Sequence, residues 1–315
     1  MASTVASQVL IPQGDWTLSQ AYMSGPNKAL INLVVKGNLK AYPDAGKLPV
    51  KCSGWIRISK VDSLTIWGGG GGGGGGGGCL DGQGQEAWKR NDCETNKTCV
   101  KRAPHQPRFT VFAPGDSKNT DGLHIARSNS ITVIDSVIGT GDDCISMGDG
   151  LRNIIIENIT CGPGHNISIG SLGKYTYETD VKGIRVEGCT LSSTTNGIRI
   201  KTFPSSPIAI TVSDIHFIGI TMVNVNRPII FDQEYCPGKT CSLAKPSQIK
   251  ISDVEIRDIT GTSATSEVVT FVCSKDKPCD NIRIEAIGKS PSPFPPDVRS
   301  QNIKPICSGP RPSTT

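Results

Sequence analysis

The sequence predicts an all-β chain wound as a right-handed single-stranded parallel β-helix, and three observations lead there. The composition is rich in Gly, Ile, Val, Thr and Ser, only 5% aromatic, and free of long Ala/Glu/Lys/Leu stretches, which favours strands over helices. A short apolar alternation preceded by a small polar residue recurs: Ser130-Ile131-Thr132-Val133, Asn153-Ile154-Ile155-Ile156, Gly183-Ile184-Arg185-Val186, Asp214-Ile215-His216-Phe217, Asp253-Val254-Glu255-Ile256 and Asn281-Ile282-Arg283-Ile284. A second alternation runs between these copies, at Leu123/Ile125, Ile145/Met147, Ile167/Ile169, Ile198/Ile200 and Ile229/Phe231.

The first apolar residues of successive copies lie 23, 30, 31, 39 and 28 positions apart. Such uneven spacing does not suit a propeller. It suits a solenoid whose coils carry loops of different length, with at least two strands per coil. With few helical segments available as crossovers, strands of successive coils must pair in parallel. A β-sandwich is the competing arrangement, but its strands return every ~8–12 residues through hairpins.

One β-helix domain is expected over residues 1–315, shortened at its N-terminus and internally, with strand-like pieces at 29–35 and 64–67 marking its start. Residues 68–78 are all glycine and read as a flexible insertion, because polyglycine loses the most entropy on ordering and brings no side chain to a core. Residues 290–315 are proline-rich and read as an irregular tail.

Twelve cysteines, with close pairs such as Cys93/Cys99, Cys236/Cys241 and Cys273/Cys279, fit a secreted disulfide-bearing protein. A structural zinc site is disfavoured: no Cys-x-x-Cys occurs, and none of the four histidines pairs with cysteine at ligand spacing. Sequons stand at Asn96, Asn158 and Asn166. Residues 1–10 lack the basic and apolar regions of a signal peptide, and no apolar run reaches membrane-spanning length. The net charge of +5 suits an anionic partner, while the absence of basic runs argues against nucleic acid.

Two positions ahead of the second strand series stand Asp121, Asp143, His165 and Asn196, in consecutive coils. Equivalent positions stack at ~4.8 Å in a parallel sheet, so two carboxylates and an imidazole should line one edge, with Asp142 as a third acid. In the next coil Arg199 and Lys201 alternate with Ile198 and Ile200 and should point outward from the same sheet. Crowded acids raise at least one carboxyl pKa, as a general acid requires, and the cations can hold an anionic sugar. Each motif also has a plainer reading. Asn119-Thr120-Asp121-Gly122 and Gly141-Asp142-Asp143 suit turns, His165 suits a structural hydrogen bond, and Arg199/Lys201 suit a solvated strand face. Their coincidence on one strand series favours the functional reading.

Asn119-Thr120-Asp121, Gly141-Asp142-Asp143, Gly164-His165 and Arg199-Ile200-Lys201, in this order, resemble the four signature motifs of the polygalacturonase family of glycoside hydrolases. The likeness runs over roughly residues 8–308 and is greatest for the plant exo-acting branch. It implies a pectin-lyase-like β-helix and inverting hydrolysis of polygalacturonate, with Asp142 as general acid, Asp121 and Asp143 activating water, and His165 tuning the acids. It further implies that Asn119, Arg199, Lys201 and Tyr235 bind the sugar, that Cys144 and Cys161 form a disulfide, and that no cofactor or metal takes part. A secreted monomer acting on pectin in the cell wall is expected, without nucleic-acid or membrane partners.

Three departures stand out. Family members resemble Gly-His-Gly where this chain has Asn166 after His165, and a glycan on the resulting sequon would crowd the cleft. Residues 99–119 are much shorter than in relatives, and the usual opening coil is missing. Competing readings are a catalytically impaired pectin-binding or allergen-like β-helix protein, a rhamnogalacturonan hydrolase, or a pectate lyase.

Overall fold

The structure is a computed structural model that describes residues 4–42, 56–68, 78, 80–81, 110–239, 241–242, 244–285, 297–303 and 306–308. Every strand pairing among these residues is parallel. Fourteen strands make one long sheet and seven make a second, with smaller three- and two-stranded sheets toward the N-terminus. The only helix among the described residues is the 3-10 turn Pro237–Lys239. The chain is a right-handed parallel β-helix, the hand that parallel crossovers take almost without exception.

The repeat becomes a physical stack. Ile131 pairs with Ile154, Ile154 with Ile184, Ile184 with Ile215, Ile215 with Val254 and Val254 with Ile282, so the uneven spacing is absorbed in the turns. Toward the N-terminus the same column continues through Leu64 and Ile31. These residues join one buried apolar cluster, broadened where Phe231 and Phe271 meet at 4.9 Å between ring centroids. Burial at ~25 cal/mol per Å² of apolar surface drives the winding, and the parallel ladders satisfy the backbone groups that it removes from water.

The small polar residue that opens each repeat has a backbone explanation. Ser63, Ser130, Asn153, Gly183, Asp214, Asp253 and Asn281 all adopt φ between 49° and 71°, the left-handed region that Gly, Asn and Asp enter most readily. Each is skipped in the pairing register and bends the chain so that the next apolar residue faces inward. The side chains form rungs as well: Asn153 Nδ2 donates to Asn129 Oδ1 at 3.0 Å, and Asn281 Nδ2 to Asp253 Oδ1 at 2.7 Å.

Most of the 68–78 glycine run lies outside the described residues. In the tail expected to be irregular, Asp297–Gln301 adds to the seven-stranded sheet and Ile306–Ser308 to the long sheet. The expectation fails there because the prolines stand at 291, 293, 295, 296, 305 and beyond, leaving both strand segments free to pair. Three disulfides are present among the described residues, Cys144–Cys161, Cys236–Cys241 and Cys273–Cys279, whereas Cys93 and Cys99 lie outside them. Cys189 is a buried free thiol whose pKa burial pushes up to about 12, so it is inert packing.

The left-handed column gives a stability test. Gly183→Val places a β-branched residue at φ 71° with its Cβ about 3.1 Å from Asn153 Oδ1. It should lower stability in urea unfolding by about 2 kcal/mol. Gly183→Asn, the residue type used in neighbouring coils, should cost under about 1 kcal/mol.

Candidate active site

The seven-stranded sheet begins, among the described residues, at Leu123–Ile125 and continues through Ile145–Met147, Ile167–Leu172, Asn196–Thr202 and Arg227–Asp232. Its register aligns Leu123, Ile145, Ile167 and Ile198, which brings the residues preceding them onto one edge. Backbone bonds hold that edge together: Gly122 N–H donates to Asp143 O at 2.8 Å, His165 N–H to Asp142 O at 2.8 Å, and Asn196 N–H to His165 O at 2.7 Å. The Cys144–Cys161 disulfide closes a 17-residue separation directly beside Asp143. It braces the turn that carries two of the acids, a loop length at which such a bond is worth ~3 kcal/mol.

Asp143 is the hub of the polar cluster. Its side chain is 2% exposed and 2.6 Å from Lys201 Nζ. Ser168 Oγ donates to it at 2.5 Å, and Asn166 Nδ2 donates to its other oxygen. Asp142 sits higher in the cleft, where Oδ1 lies 2.9 Å from His165 Nδ1 and also accepts the Asp143 N–H. Burial disfavours its charge, but the His165 hydrogen bond and nearby positive charge outweigh this and hold the carboxyl below its ordinary value. His165 is raised in turn, chiefly by the Asp142 hydrogen bond. Asp121 accepts from Ser146 Oγ at 2.6 Å. Its pKa is pushed up to about 7, by burial first and then by repulsion from Asp143 and Asp142. Asp121 is thus the acid raised toward neutrality, while Asp142 and His165 favour the charged pair.

The two cations differ more than their alternation suggests. Arg199 faces the cleft at 3.7 Å from Asp232, with its guanidinium 5.0 Å from the Tyr235 ring centroid. Lys201 lies 5.5 Å from the same ring, and its ammonium is paired with Asp143 at 2.6 Å. Asn119 is exposed with φ 53°, and among the described residues no hydrogen bond joins its side chain to the acids.

Asn166 is fully buried, and its amide nitrogen is occupied by Asp143, so the folded chain leaves no room for a glycan there. Its backbone does not need the left-handed conformation that a glycine would allow. Asn158 is exposed and bonded to Asp135, while Asn96 lies outside the described residues. Three buried polar atoms lack a hydrogen-bond partner among the described residues, namely Asn166 Oδ1, Asn196 Oδ1 and Arg199 Nε. All three belong to this cluster. Such atoms cost free energy unless a ligand or water meets them.

Ser146, Ser168 and Asp232 escape the sequence reading, although strand parity marks them: they alternate with the buried isoleucines just as Arg199 and Lys201 do. Asp142, Asp143 and His165 each offer one ligand atom within 4.8 Å of the others. Lys201 and the His165–Asp142 bond already supply the counter-charges that a cation would bring.

A family model described as glycosyl hydrolases family 28 matches residues 2–113 and 105–307. An exopolygalacturonase of Oenothera organensis is 39% identical, with 98% of this chain and 94% of the relative covered. One from Platanus acerifolia is 40% identical, covering 98% and 88%. The fold resembles that of an endo-xylogalacturonan hydrolase from Aspergillus tubingensis (TM-score 0.63, 21% identity, 96% and 87% covered) and a polygalacturonase from Erwinia carotovora (0.59, 22%, 95% and 89%).

Two stability tests follow from the electrostatics. Because Asp121 is raised on folding, the stability it costs is absent below its ordinary pKa of 3.8 and grows as pH climbs to about 7. Asp121→Asn should therefore stabilise the protein at pH 7 by about 1–2 kcal/mol after allowing for partial exposure, read from thermal unfolding, and leave it nearly unchanged at pH 4. Lys201→Met strands a buried carboxylate and should cost about 3–5 kcal/mol, read from denaturant midpoints.

Proposed function

Because this chain belongs to glycosyl hydrolases family 28, we propose that it hydrolyses α-1,4-galacturonosyl bonds of polygalacturonate and de-esterified pectin, with inversion and from a chain end. The observation that carries the reading is the gathering of three acids in one cleft, with Asp121 raised and Asp142 lowered, next to the partly unsatisfied Arg199 and the Tyr235 ring. Exo action rests on the relatives named exopolygalacturonase.

The substrate carboxylate engages Arg199, whose planar fork suits it, and a sugar ring packs on Tyr235. Asp142 donates a proton to the glycosidic oxygen as the C–O bond breaks, and His165 replenishes Asp142 through their 2.9 Å contact. Water attacks the anomeric carbon from the opposite face and gives its proton to Asp121. A carboxyl with a pKa of about 7 is a strong base once ionised. Asp143, paired with Lys201, holds the water from the other side. The cycle closes when Asp121 releases its proton to solvent and His165 regains one. Three disulfides support action in an oxidising compartment outside the cell. No helix among the described residues is long and apolar enough to cross a membrane.

One observation favours a second reading, a pectin-binding protein without turnover: the Asn166 amide occupies an oxygen of Asp143. A single assay separates the readings. Wild-type protein with polygalacturonate should release reducing ends without an unsaturated, ultraviolet-absorbing product, and Asp142→Asn should slow release about 10²–10⁴-fold. Equal rates for the two proteins, or ultraviolet absorbance in the product, would sink the hydrolase reading. The free-enzyme kcat/KM profile should rise as Asp121 ionises near 7 and fall as His165 loses its proton, with the falling limb moved to lower pH in His165→Gln, where Asp142 ionises alone.

A further inference from the structure

Asp121 and Asp143 are treated alike in one respect, because each receives a serine hydroxyl from the next coil, 25 residues on. Otherwise they differ. Asp143 also takes Asn166 and Lys201, whereas Ser146 Oγ is the one side-chain donor to Asp121 among the described residues. How well the Asp121 charge is held therefore depends on where that single hydroxyl points. A serine hydroxyl carries one proton on a rotor, and here the rotor has a second contact, His124 Nδ1 at 2.7 Å from Ser146 Oγ.

Strand register puts the imidazole there. His124, Ser146, Ser168 and Arg199 pair in succession on the seven-stranded sheet and share its outward side, so the ring meets the hydroxyl of the neighbouring coil. Gly148 leaves the ring its seat, since a Cβ there would stand 3.4 Å from both Cε1 and Nε2. Four charged groups act on the ring: Asp143 and Asp149 favour its protonation, while Lys201 and Arg127 oppose it. Partial removal from water is the largest influence and holds the His124 pKa below its ordinary value, which keeps the imidazole neutral at neutral pH. When Asp121 is ionised, the hydroxyl proton goes to the carboxylate at 2.6 Å, and Ser146 Oγ can then only accept from the ring. A neutral His124 must in that state carry its proton on Nδ1. When Asp121 is protonated the requirement lapses. The tautomer of His124 is thereby tied to the charge on Asp121.

We propose that His124 is a positioning residue for the base, acting through Ser146 to fix the hydroxyl on Asp121 Oδ2 and leave the other carboxylate oxygen to the attacking water. The proposal rests on Asp121 being the base of the hydrolytic reading. Kinetics and nitrogen NMR test it together. His124→Leu removes the donor to Ser146 and should move the rising limb of kcat/KM to higher pH by about 0.5–1 unit. His124→Asn, whose Nδ2 can stand where the imidazole Nδ1 does, should return the limb to its wild-type position. In a Ser146→Ala background, where the link is already cut, His124→Leu should move it no further. In the wild-type protein without substrate, the nitrogen shifts of His124 should turn toward the Nδ1–H tautomer as pH rises past about 7, and Asp121→Asn should abolish that change. A limb that stays in place in His124→Leu, a loss confined to KM, or a tautomer indifferent to Asp121 would overturn the role. A tautomer that follows Asp121 in a wild-type protein releasing no reducing ends would leave the linkage standing and remove the hydrolase reading instead.

Discussion

Parallel register between successive coils is the constraint on which the other features rest. Ile131, Ile154, Ile184, Ile215, Val254 and Ile282 occupy one column although 23 to 39 residues separate neighbours. A one-residue slip would turn each strand's apolar set outward, so burial penalises every register but this one. The left-handed residue at the head of each repeat sets the phase anew in every coil. Loop length is thereby freed from strand alignment, and variation collects in the turns, where the site is built.

That register determines the electrostatics. Asp121, Asp142, Asp143, His165, Arg199 and Lys201 come from four coils, and their charges are shared unequally. Lys201 goes to the most buried acid, His165 to its neighbour, and Asp121 is left with only a serine hydroxyl. A fully neutralised trio would have no reason to hold a proton near neutrality. The unequal sharing moves Asp121 and Asp142 in opposite directions, and the fold achieves it with side chains that hold one another across coil boundaries.

Much of this was legible from periodicity, because alternation along a strand follows directly from having one buried and one outward side. The stacking of Asp121, Asp143 and His165 was legible for the same reason: each stands at one fixed offset from an isoleucine or leucine of the second series. The fate of Lys201 was not. Parity says which side of the sheet it leaves from, but its partner is 58 residues away, and only the path of the intervening loops brings Asp143 within reach. Asn166 was misleading for a related reason. Its backbone does not use the freedom of a glycine, and its side chain fills space against Asp143 that a glycine would leave open. In the tail, composition averaged over 290–315 hid two short proline-free segments that complete the ladders.

A coil pitch fixed at ~4.8 Å by backbone hydrogen bonding cannot be tuned to the repeat length of whatever lies along it. A polymer laid on such a lattice drifts out of phase within a few units, so sharp, directional recognition can be satisfied at one location only. In this molecule that location is the crowded polar pocket in which Ser168 and Lys201 meet Asp143.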